Sequence, residues 1–224
     1  IVVPEAHFAM DYCGTKGIKV TPKVTLRENT KEEAAGHGRT ADARKGDAVV
    51  TVEVWVSGPA ENVKLTVAGQ TKNAVLEDGY GKAEFAIADV HLWDGVNDPY
   101  LYIARAELES GDAIETRFGC RNFAIDPQTG FLLNGRSYPL RGVSRHQDRK
   151  GVGNALTVEM HREDMKTVKE IGANTLRLAH YQHAQEFYDL CDEEGIIVWA
   201  EIPYITMHMK NGRENTLSQM EELI

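Results

Sequence analysis

Three short stretches of this chain carry side chains suited to holding a polyhydroxylated ligand. The first is Ser144-Arg145-His146-Gln147-Asp148, the second contains Arg177, His180 and Tyr181, and the third contains Glu201 and Tyr204. Carboxylate, imidazole and guanidinium groups make paired hydrogen bonds to neighbouring hydroxyls, and an aromatic ring can cover the apolar face of a sugar. Singly, each has an ordinary structural explanation: a His at a loop start bonds to backbone, and an Arg near a strand end is an ion-pair partner. Glu201 is harder to explain in that way. It directly follows the apolar run Ile196-Ile197-Val198-Trp199-Ala200, and an unpaired carboxylate so placed is costly. The convergence of the set makes it a candidate site.

The elements that would position these groups are read from hydrophobic periodicity. After Ile125 the pattern predicts strands over 140–143, 175–178 and 196–200, separated by helical spacings. Met165, Val168 and Ile171 recur every three residues before Gly172, and Ala184, Phe187, Tyr188 and Cys191 share one helical face before Gly195. Strand and helix in alternation predict a parallel α/β unit, in which functional side chains gather past the strand carboxyl ends. The three stretches fall there. The run 196–200 suits a strand buried on both faces, and Asn215 is expected to cap a further helix carrying Leu217, Met220, Leu223 and Ile224. A complete (β/α)8 barrel takes about 250 residues, so 124–224 is expected to be a truncated, incomplete barrel. Its inward faces, with Val143, Leu178 and Val198 among the candidates, would then lack a covering layer.

Residues 20–123 have another texture. Val50, Val52, Val54 and Val56 alternate with polar or half-polar neighbours, as do Val63, Leu65 and Val67, and turn residues interrupt each run. Period two with frequent turns predicts an antiparallel β-sandwich. A single run is expected over 117–125, an exposed polar loop over 28–47, core positions for Trp93 and Tyr100, and a tight hairpin at Asn134-Gly135.

Composition narrows the function classes. With 25 Lys and Arg against 34 Asp and Glu the net charge is −9, which argues against nucleic acid or an anionic membrane as partner. No stretch approaches a membrane span, and the start lacks the features of a secretory leader. The compartment stays open between cytoplasm and periplasm. Cys13, Cys120 and Cys191 form no CxxC pair and read as buried thiols.

At the chemically suggestive stretches the sequence resembles glycoside hydrolase family 2. The resemblance rests on Asn134-Gly135, Leu140-Arg141-Gly142-Val143-Ser144-Arg145-His146, Ala173-Asn174-Thr175-Leu176-Arg177-Leu178-Ala179-His180-Tyr181 and Tyr188-Asp189-Leu190-Cys191-Asp192-Glu193-Glu194-Gly195. Ser144-Arg145-His146-Gln147-Asp148 is more similar to the β-galactosidase branch than to the β-glucuronidase or β-mannosidase branches. The resemblance implies an immunoglobulin-like sandwich over 20–123, followed by the first part of a catalytic TIM barrel over 124–224. Residues 1–19 would be the exit from an upstream jelly-roll domain.

It also implies retaining hydrolysis of β-galactosides by two glutamates at the ends of the fourth and seventh barrel strands, beyond Ile224. No catalytic residue is therefore expected in this chain, which alone should be inactive. His146, His180 and Asp148 would contact sugar hydroxyls, Arg177 would hold the nucleophilic carboxylate, and Glu201 matches an acidic position ending strand three. Ile202-Pro203-Tyr204-Ile205-Thr206-Met207-His208 lacks the acid of the family's Mg²⁺ site, so no metal or other cofactor is expected here, although a divalent cation stays possible in the parent. Gln182 stands where the family commonly has Pro. Unpaired barrel strands imply a homo-oligomer. Three rival readings remain: a complete small enzyme using Glu201 and Asp148; a non-catalytic carbohydrate-binding or interaction module, with Trp55, Trp93, Tyr100 and Tyr102 available for stacking; and the activity of another branch of the family, β-glucuronidase or β-mannosidase, in the parent.

Overall fold

A computed structural model describes residues 1, 17–27, 45–206 and 210–223. The chain divides into two compact units, with the break between Pro139 and Leu140.

The first unit is built on period-two strands. β1 (Ile18–Leu26), β2 (Gly46–Trp55) and β5 (Tyr80–Ile87) form one antiparallel sheet in the order β1-β2-β5; β4 (Gln70–Val75), β3 (Asn62–Val67), β6 (Tyr102–Glu107) and β7 (Ala113–Phe118) form the other, in the order β4-β3-β6-β7. Alternate side chains fill the space between the sheets. Val50, Val52 and Val54 from β2, Val63, Leu65 and Val67 from β3, and Phe85, Ala104 and Ala106 are all buried. Burying each branched side chain is worth about 1.5–3 kcal/mol.

Several expectations are corrected here. The single run over 117–125 is two strands, because β7 ends at Phe118 and β8 (Phe123–Asp126) joins a separate sheet. The chain leaves the sandwich at Gly119, packed so closely on Trp93 that an added Cβ would lie 2.9 Å from the Trp93 Cβ. The Trp93 N–H donates to the Cys120 carbonyl at 2.8 Å. Trp93 is buried as expected, but Tyr100 is 39% exposed, with its ring stacked on His91 at 3.9 Å. Asp47 lies within β2 and pairs with Arg27; residues 28–44 of the expected loop lie outside the described residues. Cys120 and Cys191 are buried free thiols, and Cys13 also lies outside the described residues.

β9 (Gly130–Leu133) pairs with β8 and with β10 (Arg136–Ser137), and Asn134-Gly135 closes the second hairpin with φ of 51° and 76°. Both values lie in the left-handed region that a two-residue type I′ turn needs. Asn134 is also wholly buried. Its Nδ2 donates to the Trp93 carbonyl at 3.0 Å and to Asp94 Oδ1 at 3.1 Å, while its Oδ1 accepts from the Asn122 N–H at 3.0 Å. Asn134→Ala should therefore destabilise the first unit by about 3 kcal/mol, combining lost hydrogen bonds with left-handed strain. Asn134→Gly should lose only the hydrogen-bond share. Urea denaturation of the two variants checks this: equal losses would mean that the buried amide alone, and not the left-handed turn, carries the effect.

The second unit is α/β. β11 (Gly142–Arg145), β12 (Thr175–Leu178) and β13 (Ile197–Ala200) are parallel in the order β11-β12-β13. α1 (Val158–Glu170) begins at Thr157, whose side chain accepts from the Met160 N–H, and α2 (Gln185–Glu194) stops at the left-handed Gly195. Met165 and Val168 from α1, Phe187, Leu190 and Cys191 from α2, and Leu176, Leu178 and Ile196 make the core. None of the helices among the described residues is long and apolar enough to cross a membrane.

Here too the structure departs from expectation. β11 starts two residues later than 140–143, because Arg141 is held to Asn174 from both sides and the ladder begins at Gly142 opposite Thr175. β13 is not buried on both faces. Trp199 is 66% exposed, and its register neighbours Arg177 and Ser144 share that open face. Leu178 is fully buried, on the side that packs in the helix core, and so is not an uncovered inward residue. Asn215 lies inside α3 (Arg213–Leu223); the helix opens instead on the Gly212 carbonyl, which accepts from both the N–H and the hydroxyl of Thr216.

Candidate active site

Side-chain alternation along β12 sends Leu176 and Leu178 to the core and leaves Arg177 on the open face at the carboxyl end. Glu201 follows β13 directly. Arg177 grips it with two bonds, Nε to Oε1 at 2.6 Å and Nη2 to Oε2 at 3.2 Å. His180 Nδ1 lies 2.9 Å from Glu201 Oε2 and 2.9 Å from Arg177 Nη2. A guanidinium only donates and a carboxylate only accepts, so one proton decides the arrangement: Nδ1–H donates to Glu201, whereas bare Nδ1 accepts from Arg177. Partial burial acts to raise the Glu201 pKa, but hydrogen bonds from Arg177 and His180, reinforced by their charge, hold it below the usual carboxylate range. In Arg177→Met the burial stays and the strongest donor goes. The Glu201 carboxyl should then titrate higher, as read by carbon-13 NMR, and an unmoved midpoint would show that Arg177 does not set its charge.

The His146 and His180 rings meet edge to face at 5.3 Å, with Tyr181 6.3 Å from His146. The Tyr181 hydroxyl accepts from the Gln147 N–H at 3.1 Å, and Gln147 Oε1 accepts from Ala184 N–H at the start of α2 at 2.7 Å. The loops after β11 and β12 are thereby tied together. Arg177, His180, Glu201, Tyr204, Thr216 and Met220 line an open concavity of about 680 Å³. Of the five residues read from sequence, four cluster: His146, Arg177, His180 and Glu201. Asp148 is exposed in the loop after β11 and shares no hydrogen bond with them among the described residues. No group of three or more His, Cys, Asp or Glu suited to a metal occurs among the described residues.

Behind this cluster lies a second one that sequence reasoning missed. Arg145, the last residue of β11, is 8% exposed. It donates to Asp164 through Nε at 3.1 Å and Nη2 at 2.7 Å, and contacts His183 Nδ1 at 3.0 Å and His161 Nδ1 at 2.9 Å. Its guanidinium lies 3.8 Å over the Phe187 ring. Burial lowers both imidazoles, His183 to about 4, and the nearby Arg145 charge acts in the same direction. The available signal was spacing: His161, Met165 and Val168 share one stripe of α1, which places a His in an apolar face. Gln182, beside this cluster, leaves a buried side-chain N–H group without a partner among the described residues.

Two family models match the chain: "Glycosyl hydrolases family 2" over residues 16–121, and "Glycosyl hydrolases family 2, TIM barrel domain" over 125–222. A β-glucuronidase of Bacteroides fragilis is 36% identical over 197 residues, covering 81% of this chain and 28% of that protein. A β-galactosidase large subunit of Lactobacillus acidophilus is 32% identical over 167 residues, covering 69% and 26%. Among solved structures, the Bifidobacterium dentium β-glucuronidase complexed with coumarin-3-O-glucuronide matches with a TM-score of 0.69 at 28% identity, covering 84% of this chain and 30% of that one. The chain thus spans less than a third of each of these relatives. With its sandwich, its incomplete barrel of parallel strands and both models accounting for nearly all of the described residues, the chain belongs to glycosyl hydrolase family 2.

Proposed function

We propose that a full-length protein carrying this chain hydrolyses β-galactosides with retention, and that this chain supplies one wall of the sugar pocket. The Arg177–His180–Glu201 cluster opening into a concavity at the strand carboxyl ends carries the reading. Retention needs two carboxyls about 5–5.5 Å apart. Within the cluster Glu201 is the sole carboxylate among the described residues, and both its oxygens are engaged. His146, Asp148, Arg177, His180 and Glu201 are therefore assigned to substrate binding and its support. The domain limits at 19/20 and 123/124 and a homo-oligomeric state belong to the same reading. β11 and β13 each have a single strand neighbour among the described residues, leaving edges for further pairing.

A neutral hexose suits this wall because the two basic groups beside Glu201, Arg177 and His180, are both paired with its carboxylate, which leaves His146 as the remaining basic group of the set for a uronate. The β-glucuronidase names among the relatives favour a second reading, β-glucuronide hydrolysis. Chromogenic β-galactoside and β-glucuronide, compared on the full-length protein, separate the two. The 224-residue chain alone should turn over neither; turnover that disappears in Glu201→Gln would favour catalysis by Glu201 itself and reject the assignment.

A further inference from the structure

We infer that Arg145 is a positioning residue for the strand-tip cluster, and that it acts only while His161 and His183 are both neutral. Its effect on turnover rests on the glycosidase reading above; its effect on structure does not.

A guanidinium has five N–H donors and no lone pair to offer. Nδ1 of His161 and Nδ1 of His183, each about a hydrogen-bond length from an Arg145 nitrogen, must therefore both accept. That fixes each imidazole as neutral with its proton on Nε2. The far side of His183 agrees, since its Nε2 lies 3.3 Å from the Ala179 carbonyl and can donate to it. Protonating either ring would place an Nδ1–H against a guanidinium that is itself always charged.

The network is wired to the site through the backbone. His146 follows Arg145 directly, and Ala179 directly precedes His180. The Ala179 N–H donates to the Arg145 carbonyl at 3.0 Å while the Ala179 carbonyl faces His183. The residue that launches His180 is thus held by the strand carrying Arg145 and by a histidine that Arg145 itself holds. Other charged groups bear on the pair. From α1, Asp164 favours protonation of His161, and so does Glu186 from α2; Arg149 and His146 in the loop after β11 oppose protonation of His161 and His183 respectively. Asp164 is also pinned by Arg149, and the Cys191 thiol of α2 is pushed up by burial and stays uncharged.

The sign follows. His183 is held well below its ordinary value, so the unfolded chain binds a proton first as pH falls. The network's contribution is complete above the ordinary imidazole range of about 6.5 and is lost on the way down to about 4.

The test uses this chain with nitrogen-15-labelled histidine, in long-range proton–nitrogen spectra from neutral pH downwards. At neutral pH His161 and His183 should each show an Nε2–H tautomer, and the backbone N–H signals of His146 and His180 should change in step when the pair protonates. In the double variant His161→Asn/His183→Asn an amide oxygen can still accept from Arg145 but cannot titrate, so the His146 and His180 backbone N–H signals should persist to lower pH. A proton on Nδ1 of either histidine at neutral pH overturns the inference, and so does an unchanged acid response in the double variant. Should the variant fail to fold, the wild-type tautomers and the coupling of the four signals decide. In the full-length protein the acid limb of kcat/KM should move to lower pH in the double variant. If that protein cleaves no β-glycoside, the functional reading fails while the tautomer result still judges the network.

Discussion

Phe187→Ala should destabilise the α/β unit by about 3–5 kcal/mol, the range for emptying a large aromatic side chain from a core. Phe187 has no solvent exposure and packs among Leu176, Leu178, Leu190 and Met165. It also carries the Arg145 guanidinium over its face at 3.8 Å, with the His161 and His183 rings 5.6 and 6.3 Å away. Removing the ring leaves a cavity and also a buried cation without its aromatic support. Phe187→Leu restores most of the volume but not the π face, and should recover more than half of the loss. Amide hydrogen exchange locates the effect: Leu176 and Leu178 should lose protection while Val52 and Leu65 in the sandwich keep theirs. Equal loss in both units would contradict the description of two separate cores.

Arg177→Met in the full-length protein should lower kcat/KM for its β-glycoside substrate by about 10-fold, or about 1.4 kcal/mol, the size expected for losing charge-assisted hydrogen bonds to Glu201 from a side chain that is 41% exposed and so partly screened by water. Two Arg177 hydrogen bonds orient Glu201, and a third contact reaches His180. Met fills similar space without a charge, so the fold should survive while Glu201 and His180 lose their common partner. Arg177→Lys restores the charge but not the planar two-pronged grip, and should recover only part of the activity. Full activity in Arg177→Met would remove Arg177 from the site.

Much of this arrangement was legible because hydrophobic period maps directly onto exposure. Val50, Val52 and Val54 alternate into the sandwich core, and Thr175–Leu178 and Gly195 fall where strand and helix-stop patterns placed them. Glu201 was legible because a carboxylate directly after an apolar run must answer for its cost, and Arg177 from its place near a strand carboxyl end. Legibility failed where a partner distant in sequence decided the outcome. The start of β11 is set by Asn174 bonding Arg141, and that displacement hid the burial of Arg145, which shares a register position with the buried Leu178. Trp199 lies in an apolar run that reads as buried throughout, yet β13 has a single neighbour among the described residues and its open face stays exposed. Tyr100 left the expected core because the His91 ring offers it a stacking partner at the surface. Asn215 has the right residue type for a cap, but the Gly212 carbonyl opens the helix earlier.

The most direct test of the central claim follows, by proton NMR, the anomeric form of the sugar first released when the full-length protein cleaves a β-galactoside. A double displacement by two closely spaced carboxyls, with this chain as one wall of the pocket, predicts β-galactose as the first product, before mutarotation. First release of the α-anomer, or cleavage of a β-glucuronide with the β-galactoside untouched, would contradict it.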